Sequence, residues 1–196
     1  MHDSEIIEFL KKKENIESYL NDNEILNTDN LRSFFLKVSA IPSQRYGNLI
    51  AKKVASILDL REISQSSDQG DYRDINDKKY EIKSSILRKN GNKKINVVQI
   101  RQWQDIDYYL IMVINLINLE NDNVEYDLFF ISKENMEIEI KKCGGSSAHI
   151  SKIKETDNKK IEKRFSIKYR SDNYNRWKIN YGIGLNDLMD KIKANI

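Results

Sequence analysis

The sequence predicts an α/β domain: a mixed central β-sheet flanked by helices, with an N-terminal helical segment. Three observations carry this. Apolar residues recur at helical spacing at both ends of the chain, while the middle alternates in twos or turns sharply. A polar turn at 74–78 separates two short strand-like stretches. The run 109–119 is apolar with no clear period, as expected of a strand buried on both faces.

Taken in order, residues 3–20 read as a helix that Asp3 or Ser4 would cap, with Ile6, Ile7, Leu10, Ile16 and Leu20 as an irregular apolar face. Asn21, Asp22 and Asn23 separate it from a second helix over 28–38, with Leu31, Phe34, Phe35 and Val38 on one side. Pro42, the only proline, opens the next helix. Ser43 is its expected cap, and Leu49, Ile50, Val54, Ile57 and Leu58 keep the helical period. Two strands then flank the polar turn. A bend at Asn90-Gly91 leads to a β-rich run of Ile95, Val97, Val98 and Ile100, in which Gln99 and Arg101 stand two apart. The buried strand follows, and Val124 to Ile131 alternates as another. Ser132 is placed to cap a helix over 133–143, although Met136, Ile138 and Ile140 alternate in twos and leave a strand open. Small residues at 144–149 form a loop. Phe165, Ile167 and Tyr169 alternate as a strand, and Tyr174, Trp177 and Tyr181 are expected in core or rim packing. An amphipathic helix over 184–196 uses Leu185, Leu188, Ile192 and Ile196.

Size and composition set limits. A length of 196 residues suits one domain, 1–196, with a helical segment at 1–40, a core at 43–131 and a C-terminal part at 132–196. One cysteine, Cys143, allows no internal disulfide and fits a reducing compartment. Residues 1–20 are too polar for a signal peptide, and the 108–119 run is too short to span a bilayer. The expectation is a soluble, cytoplasmic protein of bacterial type, with no membrane partner. Two histidines and one cysteine exclude zinc fingers and His-Cys metal sites. The net charge of +3 says little about partners. Between residues 152 and 170, however, eight Lys or Arg stand against three acids, a patch able to face phosphate.

The chemistry concentrates around the polar turn. Asp71 follows Gly70, and Glu81 and Lys83 lie two apart, hence on one face of a strand. A hairpin centred on Asn76 sets Asp71 and Glu81 opposite each other, with Cβ atoms about 5 Å apart. Two carboxylates at that range repel unless a lysine or a divalent cation compensates. A pair of acids with open water positions suits Mg²⁺. The pattern recurs once, as Asp127, Glu139 and Lys141. The first set is preferred because its second strand runs on past the lysine through Ser84, Ser85, Ile86 and Leu87, whereas Lys141 runs into Gly144-Gly145.

Gly-Asp, a turn, then Glu-x-Lys on the next strand resembles the PD-(D/E)XK nuclease superfamily, in the setting of a type II restriction endonuclease. The usual proline before the aspartate is Gly70 here. The resemblance covers about 43–131 and implies a restriction-endonuclease-like fold. It also implies a metal site formed by Asp71, Glu81 and the Ile82 carbonyl, with Asp71, Glu81 and Lys83 catalytic and Lys83 orienting or deprotonating the attacking water. Many members carry an extra glutamate on the helix before these strands. Ile50 and Ala51 stand there instead, so a leaner site is expected. Related nucleases bring a Gln or Arg of the following strand to the scissile phosphate, a role that falls on Gln99 and Arg101.

Further candidate DNA contacts are Gln44 and Arg45 in a helix's first turn, Ser84 beside the lysine, and Ser147, His149 and Lys152 in the loop entering the basic segment. The expected partner is double-stranded DNA, bound by a C2 homodimer matched to a palindrome. The expected activity is Mg²⁺-dependent hydrolysis of specific DNA sequences, as in restriction–modification. A structure-selective repair or junction nuclease and a non-catalytic DNA-binding protein stay open as alternatives.

Overall fold

A computed structural model describes residues 2–12, 20–63, 69–89, 93–119, 124–147 and 162–194. The architecture is mixed α/β, as predicted. Three helices lead the chain: α1 (Asp3–Lys12), α2 (Asp22–Leu26) and α3 (Leu31–Ser39). The remainder of the expected first helix, 13–19, lies outside the described residues. Asp3 begins α1 rather than capping it, and its carboxylate instead holds Arg32 at 2.7 Å and Ser33 at 2.8 Å. The expected linker at Asn21–Asn23 is itself a helix start. Asn21 accepts from the Glu24 amide and Glu24 returns the bond, a reciprocal cap that the S/T/D/N-x-x-E spacing encodes. Helix α3 starts at Leu31, three residues later than expected, because Asn30 caps it through the Arg32 and Ser33 amides.

Helix α4 (Ser43–Ile57) has Pro42 at its cap position and no side-chain cap, so Ser43 is its first residue and not its cap. Short strands β1 (Arg61–Glu62) and β2 (Tyr72–Arg73) precede the long β3 (Lys79–Arg88). Then come β4 (Lys94–Ile100), β5 (Tyr108–Leu116) and β6 (Glu125–Ser132), and after them α5 (Lys133–Lys142), β7 (Ser146–Ser147), β8 (Lys163–Lys168), α6 (Asp172–Tyr181) and α7 (Leu185–Lys193). The central sheet has the order β1-β2-β3-β5-β6, with β3 and β5 parallel and the other neighbours antiparallel. As predicted, β5 is the strand buried on both faces, with eight of its nine residues buried. The run ending at Ile100 does not join it. Strand β4 pairs with β8 in a second sheet, β4-β8-β7.

Each face of the central sheet carries its own core. Tyr80, Ile82, Leu110, Met112, Ile114 and Leu128 pack against α1, α3, α4 and α7. Leu87, Tyr109, Ile111, Val113, Phe129 and Ile131 pack against the second sheet, α5 and α6, with Trp177 fully buried among them. This two-sided arrangement reflects the period of two along each strand. It has a consequence for β3. Strand β2 meets β3 only at Lys79 and Tyr80, so past Tyr80 no described strand of the central sheet pairs with that edge of β3, which is flanked by α4 on one face and β4 on the other. No described helix is long and apolar enough to cross a membrane.

Candidate active site

The hairpin that carries the predicted acids is built by residues outside the predicted set. Asp74 is 2% exposed and organises the whole turn. Its Oδ1 accepts from the amides of Asn76 at 2.8 Å and Lys78 at 2.9 Å, and its Oδ2 accepts from the Tyr80 hydroxyl at 2.6 Å. Asp77 takes the left-handed conformation needed to close the turn. The resulting register pairs Tyr72 with Tyr80 and Arg73 with Lys79. Just before the paired residues, the Asp71 amide donates to the Tyr80 carbonyl at 3.0 Å, which brings the Asp71 side chain close to that of Glu81.

Gly70 makes the approach possible. Its φ of +79° suits glycine, and a Cβ there would sit 2.6 Å from Ile106 and 3.0 Å from the Tyr80 carbonyl oxygen. The residue before the acid therefore serves by having no side chain.

Glu81 is buried, and its Oε1 takes the Lys83 ammonium at 2.5 Å. Its Oε2 is also buried and has no hydrogen-bond donor among the described residues. The Asp71 carboxyl lies within hydrogen-bonding reach of Glu81, but two ionised carboxylates offer each other only acceptors. A proton or a cation between them would relieve this. Burial, and then the charge of Glu81, push the Asp71 carboxyl up to about 6, against the opposing pull of Lys83 and Arg101. Asp71 is thus poised to hold that proton when no cation is present.

Asp71, Ile82, Lys83 and Ser84 line a cleft of about 530 Å³ beside β3. Glu81 is buried and is not part of the lining. Helix α4 supplies one wall through Tyr46, Gly47, Asn48 and Ala51. Ala51 is thus at the cleft, where no acid from α4 was expected, and Ile50 is buried in the core beside it. An acid outside the predicted set, Glu62 of β1, also lines the cleft and pairs across the strands with Tyr72. Its two-residue strand carries no periodic signal, so nothing in the pattern points to it. Burial raises the Tyr72 phenol, and the charges of Glu62, Asp71 and Glu81 raise it further, so it stays a protonated donor beside the acids.

The opposite wall is β4. A β-bulge between Val97 and Ile100 puts Gln99 at φ +54° and leaves both Val98 and Gln99 exposed at the cleft. The simple alternation that had Gln99 and Arg101 on one face is therefore broken, yet both side chains stay near the acids. Arg101 donates through Nε to Glu162 at 2.9 Å, and its charge bears on Asp71 and Glu81.

The remaining candidates are less concentrated. Arg45 pairs with Asp22 of α2 at 2.5 Å. Gln44 lies in the first turn of α4, and its side chain is outside the described residues. Ser147 lies in β7, opposite Lys163, with its side chain likewise outside. His149 and Lys152 lie outside the described residues altogether.

The second Asp…Glu-x-Lys set does not assemble. Glu139 lies on α5, a helix that Ser132 caps, and not on a strand facing Asp127. Asp127 binds the Tyr174 hydroxyl and, at 2.8 Å, Lys178. Glu139 binds Arg176 through both oxygens at 2.5 and 2.6 Å, the Trp177 indole at 2.7 Å and the Tyr181 hydroxyl at 3.1 Å.

Compared with models of known protein families, the chain matches none. Curated proteins likewise provide no match. The functional reading therefore stands on the site itself.

Proposed function

We propose that the protein is a Mg²⁺-dependent endonuclease of the type II restriction class, hydrolysing phosphodiester bonds in double-stranded DNA. The observation that carries this is that Glu81, buried beside Asp71 and behind an open cleft lined by Asp71 and Lys83, has a lysine on one carboxylate oxygen and, among the described residues, no donor on the other. Native proteins rarely leave a buried carboxylate oxygen without a partner, because the unsatisfied group costs about 1–3 kcal/mol or more. A hard divalent cation is the partner that two carboxylates and water would take.

The donor set fits Mg²⁺, which Asp71, Glu81 and the Ile82 carbonyl would hold. When bound, Mg²⁺ supplies positive charge against the phosphate oxygens and makes water a stronger acid. The chain's own residues supply the rest. Lys83 lies at the cleft beside both acids, where its ammonium orients the attacking water and offsets charge that builds on the phosphate. Gln99 lines the cleft on the β4 side, where it would meet the phosphate, Arg101 brings its charge to bear on the acids, and Tyr46 and Asn48 line the α4 side. The described residues of one chain hold one such site, so cutting both strands of a palindrome calls for a C2 homodimer.

The test is direct. Purified protein is incubated with a sequence-rich plasmid in Mg²⁺ and then in EDTA, and the ends are sequenced. Discrete bands in Mg²⁺ that vanish in EDTA, and vanish with Lys83→Ala while DNA binding persists, are expected. Cleavage retained by Lys83→Ala would refute the assignment, and a smear with no sequence preference would favour a structure-selective nuclease instead.

A further inference from the structure

Near the acids, a charged contact links the end of β4 to the residue that leads into β8. Strand β4 ends at Ile100, which pairs with Lys163 of β8, so the next step in that antiparallel register brings Arg101 opposite Glu162. Their side chains meet there, Nε to Oε1 at 2.9 Å, and they are 40% and 25% exposed. A guanidinium offers five N–H groups in a rigid planar fork. Fixing it through Nε, its one described hydrogen bond, leaves the Nη groups available and sets the direction in which that edge of the plane points. Two parallel N–H donors are what a phosphate accepts most specifically. Both carboxylates of the site lie within electrostatic reach of this guanidinium, and Val98 and Gln99, just before it in the chain, line the cleft.

We propose that Glu162 is a positioning residue: by anchoring the Nε of Arg101 it presents the two Nη groups to the phosphate that the acids and Lys83 act on. This rests on the nuclease reading above. Glu162 touches no reacting atom, so it acts only through Arg101. Without it, Arg101 keeps its charge and loses its orientation, and a long flexible side chain must then be ordered by the substrate itself. The contact also makes the second sheet part of the site, although it contributes none of the three predicted catalytic residues.

The experiment is a double-mutant cycle on plasmid cleavage in Mg²⁺, with wild type, Glu162→Ala, Arg101→Ala and the double variant. Glu162→Ala is expected to lower kcat/KM about tenfold, the scale seen when an orienting partner is removed. Glu162→Gln, which keeps an acceptor for Nε, is expected to retain most of the activity. In the Arg101→Ala background the second substitution is expected to change nothing, because the two residues act as one unit. Should alanine unfold the chain, Glu162→Met, of similar length and without an acceptor, carries the same expectation. Wild-type kcat/KM in Glu162→Ala, or an equal further loss in the Arg101→Ala background, would overturn the proposal while leaving the nuclease reading intact. A wild-type protein that cuts nothing in Mg²⁺ would overturn both.

Discussion

Among the described residues two glutamates are buried, and the sequence offers both in the same Asp…Glu-x-Lys pattern. Glu139 is fully buried and meets two guanidinium nitrogens, an indole N–H and a phenol. Burial pushes its carboxyl up, but these donors more than offset that and leave it below its usual range. Glu81 is as deeply buried, yet it meets one ammonium and another acid. The difference teaches what separates structure from function here. A charge that serves the fold has its lone pairs filled by the protein, whereas a charge kept for a ligand is left short of donors.

The largest effect that would test this contrast is catalytic. Glu81→Gln is expected to cut Mg²⁺-dependent cleavage by about a hundredfold or more, the scale of lost transition-state charge stabilisation, while melting no lower than wild type. Unimpaired cleavage of plasmid would erase the distinction between the two sites. The mirror-image substitution, Glu139→Ala, takes from Arg176 its paired carboxylate and from the Trp177 indole its acceptor. It is expected to cost on the order of 3 kcal/mol in urea unfolding, as breaking a buried pair does, and to leave the active-site residues untouched.

A third effect has a characteristic pH signature. Folding raises the Asp71 carboxyl from 3.8 to about 6, so its contribution to stability is fully present below about pH 4 and is lost as pH rises through about 6. Asp71→Asn removes that loss. In EDTA the variant should melt above wild type at about pH 7–8, and the gap should close toward about pH 4. Adding Mg²⁺ at about pH 7.5 should narrow the gap by stabilising wild type alone. A gap independent of pH would show that Asp71 is not under charge stress. The smallest effect is Tyr181→Phe, which removes one of the donors to Glu139 and is expected to cost about 1 kcal/mol in thermal unfolding.

How much of this is legible in the residues alone depends on the distance between partners. The hairpin is legible because its register is set locally: the turn residues around Asn76 and a period of two bring Asp71 close to Glu81. The preference for that set over the second rests on the residues just after each lysine, and it agrees with the helix found at Lys133–Lys142. The alternation of Met136, Ile138 and Ile140 points to a strand, but Ile138 is 47% exposed and the cap at Ser132 prevails. The partners that satisfy Glu139 are illegible, since Arg176 and Trp177 lie 37 and 38 residues away and meet it only through packing. The same holds for the pairing of β4 with β8 and for Glu62 at the cleft. Asp74 is the instructive miss. An aspartate two residues before an asparagine in a turn is a local signal, but it belongs to turn chemistry and is invisible to a reading by charge and strand parity.

The hairpin's turn is also fastened from a distance. The Asn76 side chain donates to the carbonyl of Ile192 in α7 at 3.1 Å, a contact spanning 116 positions. Contacts of such separation form late, because the intervening loop must close first. Through this contact, the position of the turn between the two acids is coupled to the packing of α7.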